Sequence, residues 1–183
     1  MRYIFLFTTF SLMLFTSSLQ AQVLTGISAK WSDAFNEWTF FTDTEDEEGD
    51  LTMRWQMRND WSEWDYRIGE SSGSIRMKWK DDPTQWEVRG NGEIVTIRMK
   101  WNNDISQWTL SDGTNRFTFK TRWANNLNEW ILKNEDKGIF EIYTEYENDP
   151  RDWLIVDEMD EEISLPMKLG MIFIAVINSV PKE

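Results

Sequence analysis

Two runs of carboxylates are the residues of this chain best suited to chemistry: Asp43, Glu45, Asp46, Glu47, Glu48, Asp50, and Asp157, Glu158, Asp160, Glu161, Glu162. Loop carboxylates can ligate Ca²⁺, and a facing pair can cleave a glycosidic bond. Neither run has the alternating Asp–Gly spacing of a Ca²⁺ loop. Asp157, Asp160 and Glu161 are therefore only weak Ca²⁺ candidates, and solvated loop charge is the expectation. The chain has no His and no Cys. The commonest general base, the thiol nucleophile, thiolate metal sites and disulfides are all excluded. No nucleophile elbow, phosphate loop or dinucleotide fingerprint is present. These residues predict no catalytic site, no cofactor and no resident metal.

The other chemically capable residues are aromatic. Trp31 and Trp38 are separated by six residues, as are Trp79 and Trp86, Trp101 and Trp108, and Trp123 and Trp130. Tyr146 and Trp153 keep the spacing, while Trp55 and Trp64 lengthen it by two and include an extra Trp61. Trp faces can stack on sugars or hold cations. They are more often core, and here they share a periodicity with Ile, Met and Val. The spacing predicts both members of each pair as an inward ring at one rim. Trp61, which breaks the pattern, is expected as the exposed aromatic.

The elements that position these residues follow from one repeat. Ile75, Met77 and Trp79 alternate with Arg76, Lys78 and Lys80, giving a strand with one apolar and one charged face. The segment DDPT at 81–84 is a turn by composition, and Trp86 and Val88 alternate with Glu87 and Arg89 beyond it. Placing Trp79 opposite Trp86 sets Met77 against Val88 and Lys78 against Glu87. Links such as Gly90-Asn91-Gly92, Asp112-Gly113 and Asn134 to Gly138 read as hairpins too. They pair Val88 with Val95, Trp86 with Ile97, Leu110 with Phe117 and Leu132 with Phe140. Six hairpins over about 27–156 give a mainly β fold, a twelve-stranded antiparallel meander.

A sheet with one apolar face must hide it, and closing into a barrel also removes the edges. Twelve tilted strands leave a bore of roughly 12 Å backbone radius. The C-terminus offers a filler. Ser164 is a candidate N-cap, Pro166 suits the first helical turn, and the run to Val180 is apolar nearly all round. A buried axial helix over about 165–180 is predicted, entering from the rim opposite the Trp pairs. This architecture, with the segment DEMDEEISLPMKLGMIFIAVINSV at 157–180, resembles the tubby C-terminal domain, LURP-one-related and phospholipid scramblase-like barrels. The resemblance implies a barrel around a buried helix. It also implies a basic surface able to bind phosphoinositides, and an acidic Ca²⁺-binding segment before the helix.

The charged face carries a basic stripe on the first strands of successive hairpins: Arg54, Arg76, Lys78, Arg98, Lys100, Lys120 and Arg122. It is a candidate site for an anionic headgroup or glycan. The net charge of −13 argues against nucleic acid as a partner. Arg2, the apolar run Ile4 to Phe15 and Ala21 read as a signal peptide over 1–21, leaving one exported domain over 22–183 in the periplasm or outside the cell. The expected function is a non-catalytic, monomeric structural or binding module with membrane-surface or glycan contact and no identified partner. Two alternatives are a carrier of an apolar ligand in the barrel and a small outer-membrane barrel.

Overall fold

A computed structural model describes residues 23–44, 48–124 and 126–181. The proposed signal peptide and the carboxylates Glu45, Asp46 and Glu47 lie outside the described residues. Twelve strands follow in chain order: β1 Leu24–Ala29, β2 Glu37–Thr42, β3 Gly49–Trp55, β4 Asp60–Ile68, β5 Ser71–Met77, β6 Gln85–Gly90, β7 Glu93–Trp101, β8 Asp104–Ser111, β9 Arg116–Thr121, β10 Glu129–Asn134, β11 Gly138–Thr144 and β12 Asp152–Met159. One helix, α1 Leu165–Ser179, ends the fold. Every strand pairs antiparallel with its sequence neighbours, and β1 pairs with β12, closing the barrel.

The alternation read from the sequence sets which face is inside. On β9, Phe117, Phe119 and Thr121 are buried while Arg116, Thr118 and Lys120 are exposed. The links between hairpins pair as expected: Val88 with Val95, Trp86 with Ile97, Leu110 with Phe117, and Leu132 with Phe140. Asn91 and Gly92 both have positive φ, 52° and 78°. That is the two-residue turn whose twist matches the strands it joins.

The register inside the hairpins differs from the expectation by two residues. Met77, not Trp79, lies opposite Trp86; Ile75 faces Val88 and Arg76 faces Glu87. Trp79 stands beyond the last paired residue, in the turn. Its carbonyl accepts the amide of Asp82 at 3.2 Å, closing a turn with Asp81 at φ 61°. Pro83 lies just after this turn.

The helix occupies the bore. Met167 and Met171, Ile172, Ile174 and Ala175 have no exposed surface. Gly170 brings it against the wall formed by β6, β7 and β8: a Cβ there would meet Ile97, Leu110 and Val88 at 3.0 to 3.4 Å. Phe173 packs edge-on against Trp86 and Trp64, with centroids 4.8 and 5.9 Å apart. Ser179 Oγ lies 2.8 Å from Leu127 O and 2.7 Å from Ala175 O, which sets the helix end at the Trp rim. At the other rim Tyr66 covers Gly73 and Gly90, whose missing side chains leave room for its ring.

One buried contact is ionic. Lys168 Nζ lies 2.8 Å from Asp157 Oδ2, with side chains 4% and 1% exposed. The carboxylate oxygen sits outside hydrogen-bonding angles, so the attraction is Coulombic. Removing one partner leaves an uncompensated charge, at about 3–5 kcal/mol, whereas apolar replacement of both is often neutral. Lys168→Met should therefore lower stability by several kcal/mol in urea titrations. Asp157→Leu with Lys168→Met should recover most of that loss.

Candidate functional site at the aromatic rim

Each Trp pair is split between inside and outside. The second members, Trp38, Trp64, Trp86, Trp108, Trp130 and Trp153, are at most 2% exposed. The first members, Trp31, Trp55, Trp79, Trp101, Trp123 and Tyr146, are 41 to 61% exposed. The expected inward ring of both members is thus corrected. The second member lies within a strand, while the first ends a strand (Trp55, Trp101) or stands two residues beyond one.

Local hydrogen bonds explain the spacing. In all six hairpins the buried indole Nε1 donates to the carbonyl three residues earlier: Phe35, Trp61, Pro83, Ile105, Leu127 and Pro150, at 2.7 to 3.0 Å. In five of them an Asp or Asn four residues before the Trp caps the turn. Asp60, Asp82, Asp104, Asn126 and Asp149 accept the amides of Ser62, Thr84, Ser106, Asn128 and Arg151 at 2.8 to 3.1 Å. This Asx turn aims the carbonyl at the indole and so buries its only donor satisfied. An Asp/Asn-x-Ser/Thr/Asn step precedes Trp64, Trp86, Trp108 and Trp130, with Asp149-Pro150-Arg151 before Trp153; this step is readable in the sequence and was the missed signal. Hydrogen bonds from Ser62, Thr84 and Arg151 hold Asp60, Asp82 and Asp149 below the ordinary carboxylate range, so they stay ionised.

Trp61 occupies the repeat position held elsewhere by Phe35, Ile105 and Leu127. It is half-buried, packs on the core and donates to Asn59 Oδ1 at 2.9 Å. The expectation of an exposed Trp61 is corrected, because the carbonyl role of that position turns its ring toward Trp64, 5.6 Å away.

The exposed aromatics form a collar around one rim. Neighbours are two strands apart, hence about 10 Å. Trp55 and Trp123 donate to Glu63 and Glu129 at 3.2 and 2.9 Å, which lays these rings along the outer wall. Arg58, Lys78 and Lys100 sit over Trp55, Trp79 and Trp101 at 5.4 to 6.0 Å. With Met57 and Ile105, this rim holds eight of the eleven exposed large apolar side chains among the described residues.

The basic stripe is on the outer wall, and four of its seven cations are ion-paired. Arg54 pairs with Glu63 and Asp65, and Arg122 with Glu129 and Glu141. Arg76, Lys78 and Arg89 converge on Glu87 at 3.4, 3.5 and 2.8 Å. Arg98, Lys100 and Lys120 have no ion-pair partner among the described residues. The Ca²⁺ reading is corrected: Asp157 is inside the barrel on Lys168, and Asp160 pairs with Lys137 at 3.8 Å. Glu161 is exposed, and no group of three acidic side chains suited to a metal occurs among the described residues.

An open groove of ≈ 770 Å³ lies at this rim between the turn before β10 and the end of β11. Asn126, Asn128, Tyr143, Glu145, Glu147 and Asn148 line it, with Ser179 of α1 beneath. No family model, curated protein or solved structure matches this chain.

Two predictions follow from the split and from Glu87. Trp86→Ala should cost about 3–5 kcal/mol, while Trp79→Ala should cost under about 1 kcal/mol, measured by chemical denaturation. The Arg89 guanidinium, helped by Arg76 and Lys78, holds Glu87 below its ordinary 4.5 against the opposing effect of burial. A depressed folded value means that its contribution is present above 4.5 and lost as pH falls through the folded value. Glu87→Gln should be less stable than the wild type at neutral pH, and the gap should narrow on acidification below 4.5.

Proposed function

We propose that this protein is an exported, non-catalytic binding module that holds a surface glycan against its aromatic rim. The observation that carries the reading is the collar itself: one exposed aromatic from each of six hairpins, all at one end. Exposed apolar surface concentrated in one place marks an interaction site. The flat ring faces stand beside hydrogen-bonding side chains, as a sugar with apolar faces and polar edges requires.

Charge favours glycan over an anionic membrane. Five of the six second strands begin at this rim with an acid: Glu37, Asp60, Asp104, Glu129 and Asp152. Arg54 and Arg122 are neutralised within the wall, and Arg76 and Lys78 share Glu87 with Arg89. The carrier alternative requires α1 to leave the bore. The outer-membrane alternative requires an apolar outer band, where β9 instead presents Arg116, Thr118 and Lys120. Kinship with the tubby-like barrels is supported only by the closed barrel and its helix.

Co-sedimentation with cellulose and chitin, and separately with anionic lipid vesicles, tests the proposal. The wild type should pellet with polysaccharide. Trp79→Ala/Trp101→Ala/Trp123→Ala, checked for folding by near-UV circular dichroism, should lose at least about tenfold in affinity. Pelleting with vesicles but with neither polysaccharide would overturn the glycan reading.

A further inference from the structure

We infer that the groove between the β9–β10 and β11–β12 turns is a sugar seat that accepts neutral glycans and rejects acidic ones. This inference rests on the glycan reading above and specifies its site. The groove is open to solvent and offers ≈ 770 Å³ of accessible space. Tyr143 lines it, and two exposed aromatics adjoin lining residues. Trp123 is bonded to Glu129 on the groove wall, and Tyr146 lies between the lining residues Glu145 and Glu147.

Its lining suits hydroxyl groups. Asn128 Nδ2 donates to Asn148 Oδ1 at 3.1 Å, joining the two turns across the groove. This uses one donor and one acceptor site, so Asn128 keeps its oxygen and Asn148 its amide group for a ligand. The backbone below is already satisfied: Thr144 N donates to Asn128 O at 2.9 Å, and Trp130 Nε1 to Leu127 O at 2.7 Å. The floor is therefore fixed, and the free polar groups stand on the walls.

The charge of the groove sets what it excludes. Glu145 and Glu147 have no ion pair among the described residues. Glu129 is held by Arg122 at 2.9 Å. The C-terminal end of α1 lies beneath, and the carbonyl end of a helix repels anions. Two free carboxylates accept hydroxyl hydrogen bonds but oppose a uronate placed beside them.

The experiment compares cellohexaose with hexagalacturonate by titration calorimetry on the full chain. The wild type should bind cellohexaose at least about tenfold more tightly than the uronate. Tyr146→Ala/Asn148→Gly, in which Gly keeps the positive φ of 62°, should lose cellohexaose binding. Glu145→Gln/Glu147→Gln should keep cellohexaose binding within about threefold and gain uronate binding, because Gln retains an acceptor without the charge. Equal binding of both oligomers by the wild type would overturn the inference. So would cellohexaose binding unmoved by Tyr146→Ala/Asn148→Gly but abolished by the collar variant; this leaves the rim reading standing. Failure of the wild type to bind either oligomer or any polysaccharide would overturn both.

Discussion

The bore of a twelve-stranded barrel is the constraint on which this fold depends. Side chains from the wall alone do not reach the axis, and an unfilled apolar tube loses dispersion contacts along its length. Helix α1 resolves this by being apolar on every side. Such a helix has no surface to show water, and its β-branched residues give it little independent stability. Barrel and helix therefore stabilise each other.

The Trp repeat serves the same constraint at one end. Six indoles point inward near the end of the helix, and each has its single donor satisfied within its own turn. The local bond removes the need for any long-range polar partner inside the barrel. Once the turn has taken that form, the residue seven or nine positions earlier is left outside it. The exposed collar is thus a geometric consequence of how the inner ring is built. Its surface is then open to acquire a binding role.

The strand count, closure and helix were legible because each rests on periodicity: two for the strands, nearly continuous apolarity for the helix. The hairpin register was not. Aromatic spacing suggested that equal residues pair, but Trp79 is taken into the turn that precedes the Asx turn at Asp82, which leaves Met77 opposite Trp86. The Asp-x-Ser/Thr step could have shown this; Trp spacing alone could not. Trp61 was misread for the same reason, since its place in the repeat was hidden by its type. The Asp157–Lys168 contact joins strand to helix in three dimensions, and no one-dimensional pattern marks it. The groove was likewise invisible, because it forms between neighbouring hairpins rather than within one.

The seam between β1 and β12 closes the barrel around a helix that follows β12 directly. Its pairing joins residues as distant as Ser28 and Asp152. A contact of such sequence separation is slow to form. The helix is enclosed on all sides once the seam has closed. Escape of α1 sideways then requires the ladder to part first. Durability of the native state is therefore governed by the rate at which one strand pair opens, as well as by the depth of the free-energy minimum.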